Sequence, residues 1–451
     1  MRARAQPPVL PPAPVTQLPP VERHRLANGL EVLLVERRDL PVVDARLVIR
    51  GGAAGDVPGK SGRAHMLGDL LDQGTETRSA FDIADQAELL GASLETRASW
   101  DSFTAALHVL TPRIDAALEL LADVVMRPTL PDEEIERRRR ERLAAILQEQ
   151  DEPRTLAIQA FNRHAYGPSH PYAVPLAGTR SSVEALQRTD LTALYTARFA
   201  PASAFLVLVG DLTADTRLPL LESLFGAWSA APAAPLSHVE LLPRPPAAVH
   251  IVDRPAAPQS ELRIGLSGPR RDTADYFPLL VANTILGGAF TSRLNMRLRE
   301  EKAYTYGAGS SFALRGGGGP FVASTAVATA ATADAVHVIV SEIARMSEER
   351  VLPAELERAS NYIVLGLPRT FETTGDIAEH VTEVALYDLG AGYYDTYAAR
   401  VLDVSAAAVQ AAAARWLKPD ELTIAVAGDA GAVREELELL KIGAVHVDEN
   451  G

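Results

Sequence analysis

Apolar runs, amphipathic stretches and Gly/Pro punctuation occur along this chain in the same order twice. In the first half, Asp190–Tyr195 and Arg198-Phe199-Ala200-Pro201 lead into Phe205–Asp211. This pattern predicts a helix, a proline-marked turn and an apolar strand ending in Gly-Asp. Asp403–Ala406, Arg415–Pro419 and Leu422–Asp429 repeat it in the second half. Pro201 and Pro419 stand 218 positions apart, as do Asp211 and Asp429. Upstream, strand-like Phe103–His108 precedes an Ala/Leu-rich helix expected from Arg113 to Val125, and Phe321–Val327 precedes another from Thr332 to Met346. Thr111-Pro112 and Thr332 are the expected caps. Each half also opens with strand-like alternation, at Gly29–Val35 and Leu262–Leu266. So long a period points to domain duplication, because solenoid repeats run only ~20–50 residues.

The fold expected is α+β: two homologous domains, each a mostly antiparallel sheet packed against helices. The boundaries follow composition. A Pro-rich arm covers 1–21, the first domain 22–229, an Ala/Pro-rich linker 230–246, the second domain 247–440 and a tail 441–451. The net charge of −14 argues against a nucleic-acid surface. In the run Glu134-Ile135-Glu136-Arg137-Arg138-Arg139-Arg140-Glu141-Arg142, acids one turn before arginines (Glu134 to Arg138, Glu136 to Arg140) predict a self-paired, solvated helix face. The absence of cysteine excludes disulfides, thiolate metal sites and a cysteine nucleophile. No apolar run is long enough to span a bilayer, and Met1–Pro20 lacks the apolar segment of an export signal. A cytoplasmic location is favoured on that ground, with a periplasmic one open if a signal has been removed.

The candidate chemistry begins at Gly62–Leu71, between the expected helix start Ser61 and stop Gly74. His65, Asp69 and Asp72 fall on one helix face, and Glu149 follows on a later helix. His164 and His170 flank an aromatic turn, where packing explains them better than ligation. Gly316–Pro320 lacks the Lys-Ser/Thr of a phosphate loop and predicts a flexible hairpin connection.

These segments together resemble the M16 zinc metallopeptidases, the group of pitrilysin, insulin-degrading enzyme and the mitochondrial processing peptidase. Leu26–Val32 is similar to the family's first strand, and Ser61–His65 with Asp72-Gln73-Gly74-Thr75 to its metal helix. Tyr166–Tyr172 with Leu176-Ala177-Gly178-Thr179 resembles the loop after the third-ligand helix. Gly287–Leu294 and Leu298–Tyr306 resemble the later-half motif, although the Gly287-Gly288 turn is shorter than the glycine-rich loop of the mitochondrial non-catalytic subunit. The resemblance covers about residues 22–440.

It implies a His-x-x-Glu-His zinc site in which three of four catalytic groups are lost. His65 remains, Gly68 stands in the place of the general base, Asp69 in that of the second histidine, and Ala145 in that of the later ligand. It also implies that Arg299 and Tyr306 bind the substrate carbonyl, rather than the neighbouring Tyr304, which is expected to face the other side of a strand. The expected role is the non-catalytic, zinc-less subunit of a heterodimeric peptidase. No metal or cofactor is expected in this chain; the partner, a zinc-bearing M16 homologue, supplies zinc, and the substrate is a peptide. The alternatives are a non-enzymatic scaffold derived from such a peptidase and a self-sufficient hydrolase with a carboxylate site at His65 and Asp69.

Overall fold

The computed structural model describes residues 19–229 and 239–448; most of the expected arm and linker, and residues 449–451, lie outside them. The first half holds β1 (Glu22–Arg25), β2 (Glu31–Glu36), β3 (Val42–Arg50), β4 (Ser93–Ala98), β5 (Ser102–Leu110) and β6 (Ala204–Gly210) in one sheet of order β1-β2-β6-β3-β5-β4. The second holds β7 (Ala248–Asp253), β8 (Gln259–Ser267), β9 (Ala308–Phe312), β10 (Pro320–Ala328), β11 (Thr423–Gly428) and β12 (Ala444–Asp448) in order β12-β7-β11-β8-β10-β9. Only the β2/β6, β7/β11 and β7/β12 pairs are parallel. The duplicated α+β architecture expected from the repeat is therefore present.

Its internal register differs from the expectation in one respect. Val32 lies opposite Leu206 in the first sheet and Val249 opposite Ile424 in the second, so β7 is the counterpart of β2. Leu262–Leu266 lies in β8, which occupies the place of β3 rather than of the opening strand. The two runs look alike because both alternate, but alternation carries no information about neighbours. Residues 444–448, inside the expected tail, form β12 and pair with β7.

The first half also contains α1 (Arg63–Leu70), α2 (Ala80–Leu90), α3 (Ile114–Met126), α4 (Asp132–Glu149) and α5 (Pro153–Tyr166). A 3-10 turn at Thr111–Arg113 holds Pro112 ahead of α3 without a side-chain cap. Thr332 is the first residue of its helix, and its hydroxyl donates to Thr329 O and lies 2.8 Å from Ser260 Oγ instead of capping.

Each sheet is covered on one face by helices of its own half and on the other by a helix from the opposite half. Helix α5 lies on the second sheet, burying Leu156, Ala157, Ala160 and Phe161 against Val252, Ala425 and Ala427. Reciprocally, the Thr374–Leu386 helix lies on β3 and β6, bringing Ile377, Ala378 and Val381 into one core with Leu33, Val48, Phe205 and Val207. This explains why every residue of β6 and β11 is buried: a strand covered on both faces reads as a continuous apolar run. Strand β3 shows the division residue by residue. Val43, Ala45, Leu47 and Ile49 face the helices of their own half. On the other face Thr374 donates to the Asp44 carboxylate, Arg46 pairs with Glu379, and Arg50 donates to the carbonyls of Ala385 and Leu386. Those carbonyls end the incoming helix and have no partner within it. A second tie runs through Asp101, which accepts from Gly316 N at 3.1 Å and Tyr387 Oη at 2.8 Å. The Gly316–Gly319 connection is thus a hairpin turn as expected, but with Gly317–Gly319 buried rather than loose.

Ala157 is fully buried between α5 and the second sheet. Ala157→Leu is expected to cost about 1–3 kcal/mol by overpacking, lowering the urea midpoint at unchanged slope, whereas Ile158→Ala on the exposed face changes it by less than about 0.5 kcal/mol.

Candidate functional site

Helix α1 begins where two glycines meet. Gly62, its N-cap, has φ 87°, and a Cβ there would lie 2.7 Å from Ala177 O. Gly178 has φ 81°, and a Cβ there would lie 2.5 Å from Ser61 O. Both positions need glycine for backbone conformation and for close approach. This contact fixes the helix start at Arg63 rather than Ser61, and the helix ends at Leu70, before Gly74. With no side chain on its N-cap, the helix is capped from outside: both Asp56 carboxylate oxygens accept from Ala64 N, at 3.2 and 3.3 Å. Burial pushes the Asp56 carboxyl up to about 6, against the opposing pull of Arg63 and the Ala64 amide.

His65 is not free. Its Nδ1 lies 3.2 Å from Asp69 Oδ2, so the surviving imidazole is paired with the residue standing in the second ligand's place. Burial raises the Asp69 carboxyl above its ordinary value, partly offset by His65 and Arg138. Asp72 lies beyond the helix end and accepts from Gln73. Gly68 is buried against β4; a Cβ there would lie 2.5 Å from Ala98 N and 2.7 Å from Arg97 C. Close packing against a strand, rather than indifference to helix stability, accounts for this glycine.

Ala145 lies on α4, which packs beside α1. Glu149 is taken by Arg142, which also donates to the Ala177 and Gly178 carbonyls. The residues at 65, 68, 69 and 145 therefore do not fit the family's zinc site: one offers no side chain, one a methyl group, and the other two hold each other. The carboxylate site with Asp72 and Glu149 does not assemble either. On the arginine run, Glu134 pairs with Arg137 and Glu136 with Arg139, one position closer than expected, while Arg139 and Arg142 turn inward to backbone carbonyls.

In the second half, Arg299 lies in the π-helical turn Met296–Glu301, its guanidinium 4.5 Å over the Phe290 ring and 3.6 Å from Glu300. Tyr306 sits in a bend before β9 rather than on the expected strand, and it is 99% exposed. Tyr304 is in the loop too, donating from its hydroxyl to Asp334 at 2.9 Å, so it is structurally occupied. Arg299 and Tyr306 share no hydrogen bond among the described residues. What sequence reasoning missed is the residue that organises this region: buried Asn295 donates to Phe290 O at 2.7 Å and accepts from Ala308 N at 3.3 Å. It joins the turn carrying Phe290 to the strand that follows Tyr306. A polar residue between Leu294 and Leu298 was its only signal.

The two histidines of the aromatic turn separate in the structure. His170 packs with Tyr166 and Tyr172 and accepts from Tyr172 N, as turn packing predicts. His164 does not: on α5, its ring stacks 3.5 Å from His250 and its Nε2 lies 3.0 Å from Asp448.

Two outcomes test the α1 region. Gly68→Ala is expected to lower stability although alanine favours a helix by about 1 kcal/mol over glycine, because its Cβ meets β4; chemical denaturation reads the sign. For Asp56, the raised folded-state pKa means that its contribution is fully present below about pH 4 and lost as pH rises through about 6. Relative to Asp56→Asn, the wild type should therefore gain on the order of 2 kcal/mol as pH falls from about 7 to 4, measured by urea unfolding.

Known proteins share this fold and these segments. The family model described as insulinase (peptidase family M16) matches residues 31–180, and that described as peptidase M16 inactive domain matches residues 185–363. A Mycobacterium leprae protein described as an uncharacterized zinc protease is 27% identical over 358 residues, 76% of this chain and 78% of that protein. A Bacillus subtilis protein of the same description is 24% identical over 291 residues, 63% of this chain and 68% of that protein. The crystal structure of a peptidase M16 inactive domain from Pseudomonas fluorescens superposes with TM-score 0.84 at 27% identity, covering 91% of this chain and 98% of that one. A Helicobacter pylori protease has the same fold, with TM-score 0.84 at 20% identity over 91% of this chain and all of that one. This chain belongs to the M16 peptidase family.

Proposed function

We propose that this chain is the zinc-less subunit of a two-chain M16 peptidase, closing a peptide chamber and presenting Arg299 and Tyr306 to the substrate carbonyl. The observation that carries the reading is at Gly68: the position of the general base has no side chain and no room for one beside Ala98. Zinc and base then belong to a homologous partner subunit. The exposure of Tyr306 and of Phe290, which is 62% exposed beneath Arg299, supports a surface that meets substrate against another chain. A guanidinium and a phenol both donate hydrogen bonds, and both suit an oxygen on which negative charge develops. That they share no hydrogen bond within one chain fits a site completed only by closure, because catalytic hydrogen bonds tighten in the substrate complex.

The test is to purify the chain alone and with a zinc-bearing homologue, then measure bound zinc and cleavage of a quenched peptide. The chain alone is expected to be silent and the pair active. In the pair, Arg299→Ala and Tyr306→Phe each lower kcat by roughly 100-fold at unchanged partner zinc, the scale of losing one oxyanion donor. Turnover by the lone chain would sink the reading. An active pair indifferent to both substitutions would remove the assigned roles, and a stable but inactive pair would favour the scaffold.

A further inference from the structure

Three side chains of metal-ligating type, none of them on α1 or near Arg299 in sequence, meet on the edge of the second sheet. His164 comes from α5, the helix contributed by the first half; His250 comes from β7 and Asp448 from the last described residue of β12. Their donor atoms all lie within 4.8 Å of one another, and they form the sole such group of three among the described residues. His164 Nε2 is 3.0 Å from Asp448 Oδ2, and His250 Nδ1 is 3.9 Å from Asp448 Oδ1. Both imidazoles therefore aim at the same carboxylate, one at each oxygen. The 3.9 Å gap is too long for a hydrogen bond, and His250 Nδ1 is buried without any hydrogen-bond partner. Orphaned buried nitrogens are uncommon and call for an explanation. His446, two residues before Asp448 and on the same face of β12, stacks on His250 at 5.3 Å.

We propose that this cluster binds a divalent transition-metal ion of the zinc class, held by His164 Nε2, His250 Nδ1 and the Asp448 carboxylate. Imidazole and carboxylate donors suit such ions, and donors held ~2.0–2.2 Å from zinc stand roughly 3.3–3.5 Å apart. The 3.0 and 3.9 Å edges bracket that separation. The ion takes the place of the proton shared by His164 and Asp448 and gives His250 Nδ1 the partner it lacks. The rings stack within 9° of parallel at 3.5 Å, so uptake requires them to tilt until both nitrogens converge. The fourth position falls to water or to His446. The site is structural: it fastens α5 to β7 and β12, tying the exchanged helix of the first half to the sheet edge of the second.

The experiment uses the full chain after treatment with a chelator, titrated with Zn2+ by calorimetry and with Co2+ by visible absorption. The expected result is one equivalent of either ion, with the d–d band of a histidine-bound site. His164→Ala, His250→Ala and Asp448→Asn abolish it, and His65→Ala leaves it intact. Hydrogen exchange supplies a second readout, with Zn2+ slowing the amides of β12 in the wild type but not in Asp448→Asn. Asp448→Asn is nearly isosteric and lies at the end of the chain's last strand, so it keeps the test decisive if an imidazole variant misfolds. Failure of the wild type to bind beyond the level of Asp448→Asn would overturn the proposal, as would loss of binding in His65→Ala with retention in the cluster variants.

Discussion

The burial of each sheet's second face by a helix from the other half is the constraint on which the rest of the molecule depends. Two independent α+β units would leave the Val48 face of one sheet and the Ala425 face of the other exposed to water. Exchange buries both. It also explains polar residues that an isolated domain could not accommodate: Asp44, Arg46 and Arg50 stand on the inner face of β3, and each is satisfied by the Thr374–Leu386 helix. A buried acceptor or cation without such a partner costs one to several kcal/mol, so the exchange and the polar sequence of β3 require each other.

Small residues set how closely the exchanged helix can lie. Ala157 and Ala160 meet Ala425 and Ala427, which lets the α5 backbone approach the sheet. The same economy operates in α1, where Gly62 and Gly178 cross and Gly68 seats the helix against β4. Both helices are thus held by close backbone approach. The second half is braced differently. There Asn295 and the Arg293–Glu355 pair, at 2.7 and 2.8 Å, brace a turn whose Arg299 and Tyr306 remain accessible.

The duplication was legible because buried central strands and proline-marked turns leave a local imprint; Phe205–Asp211 and Leu422–Asp429 match β6 and β11 within a residue or two. That Gly68 and Asp69 stand where the resembled motif has Glu and His is a matter of residue identity, readable without a structure. Three things were not. The pairing of Leu262–Leu266 with β3's place depends on neighbours that alternation does not encode. The setting of Tyr306 depends on Ala303, whose φ of 54° turns the chain before β9 begins, a conformation that alanine does not advertise. His164 and Asp448 are 284 residues apart, so no spacing rule could join them. In each case a long-range contact or an uncommon backbone angle decides the outcome, and neither has a periodic signature.

The seat of Gly68 has an evolutionary consequence. Here the backbone of β4 stands where a Cβ would begin. A single codon change to an acidic residue would meet that strand, and the strand could retreat only by disturbing Phe103 and the rest of the first core. The side chain and the space for it would therefore have to arrive together. Packing acts as a lock: while β4 keeps its place, position 68 stays glycine whatever chemistry surrounds it.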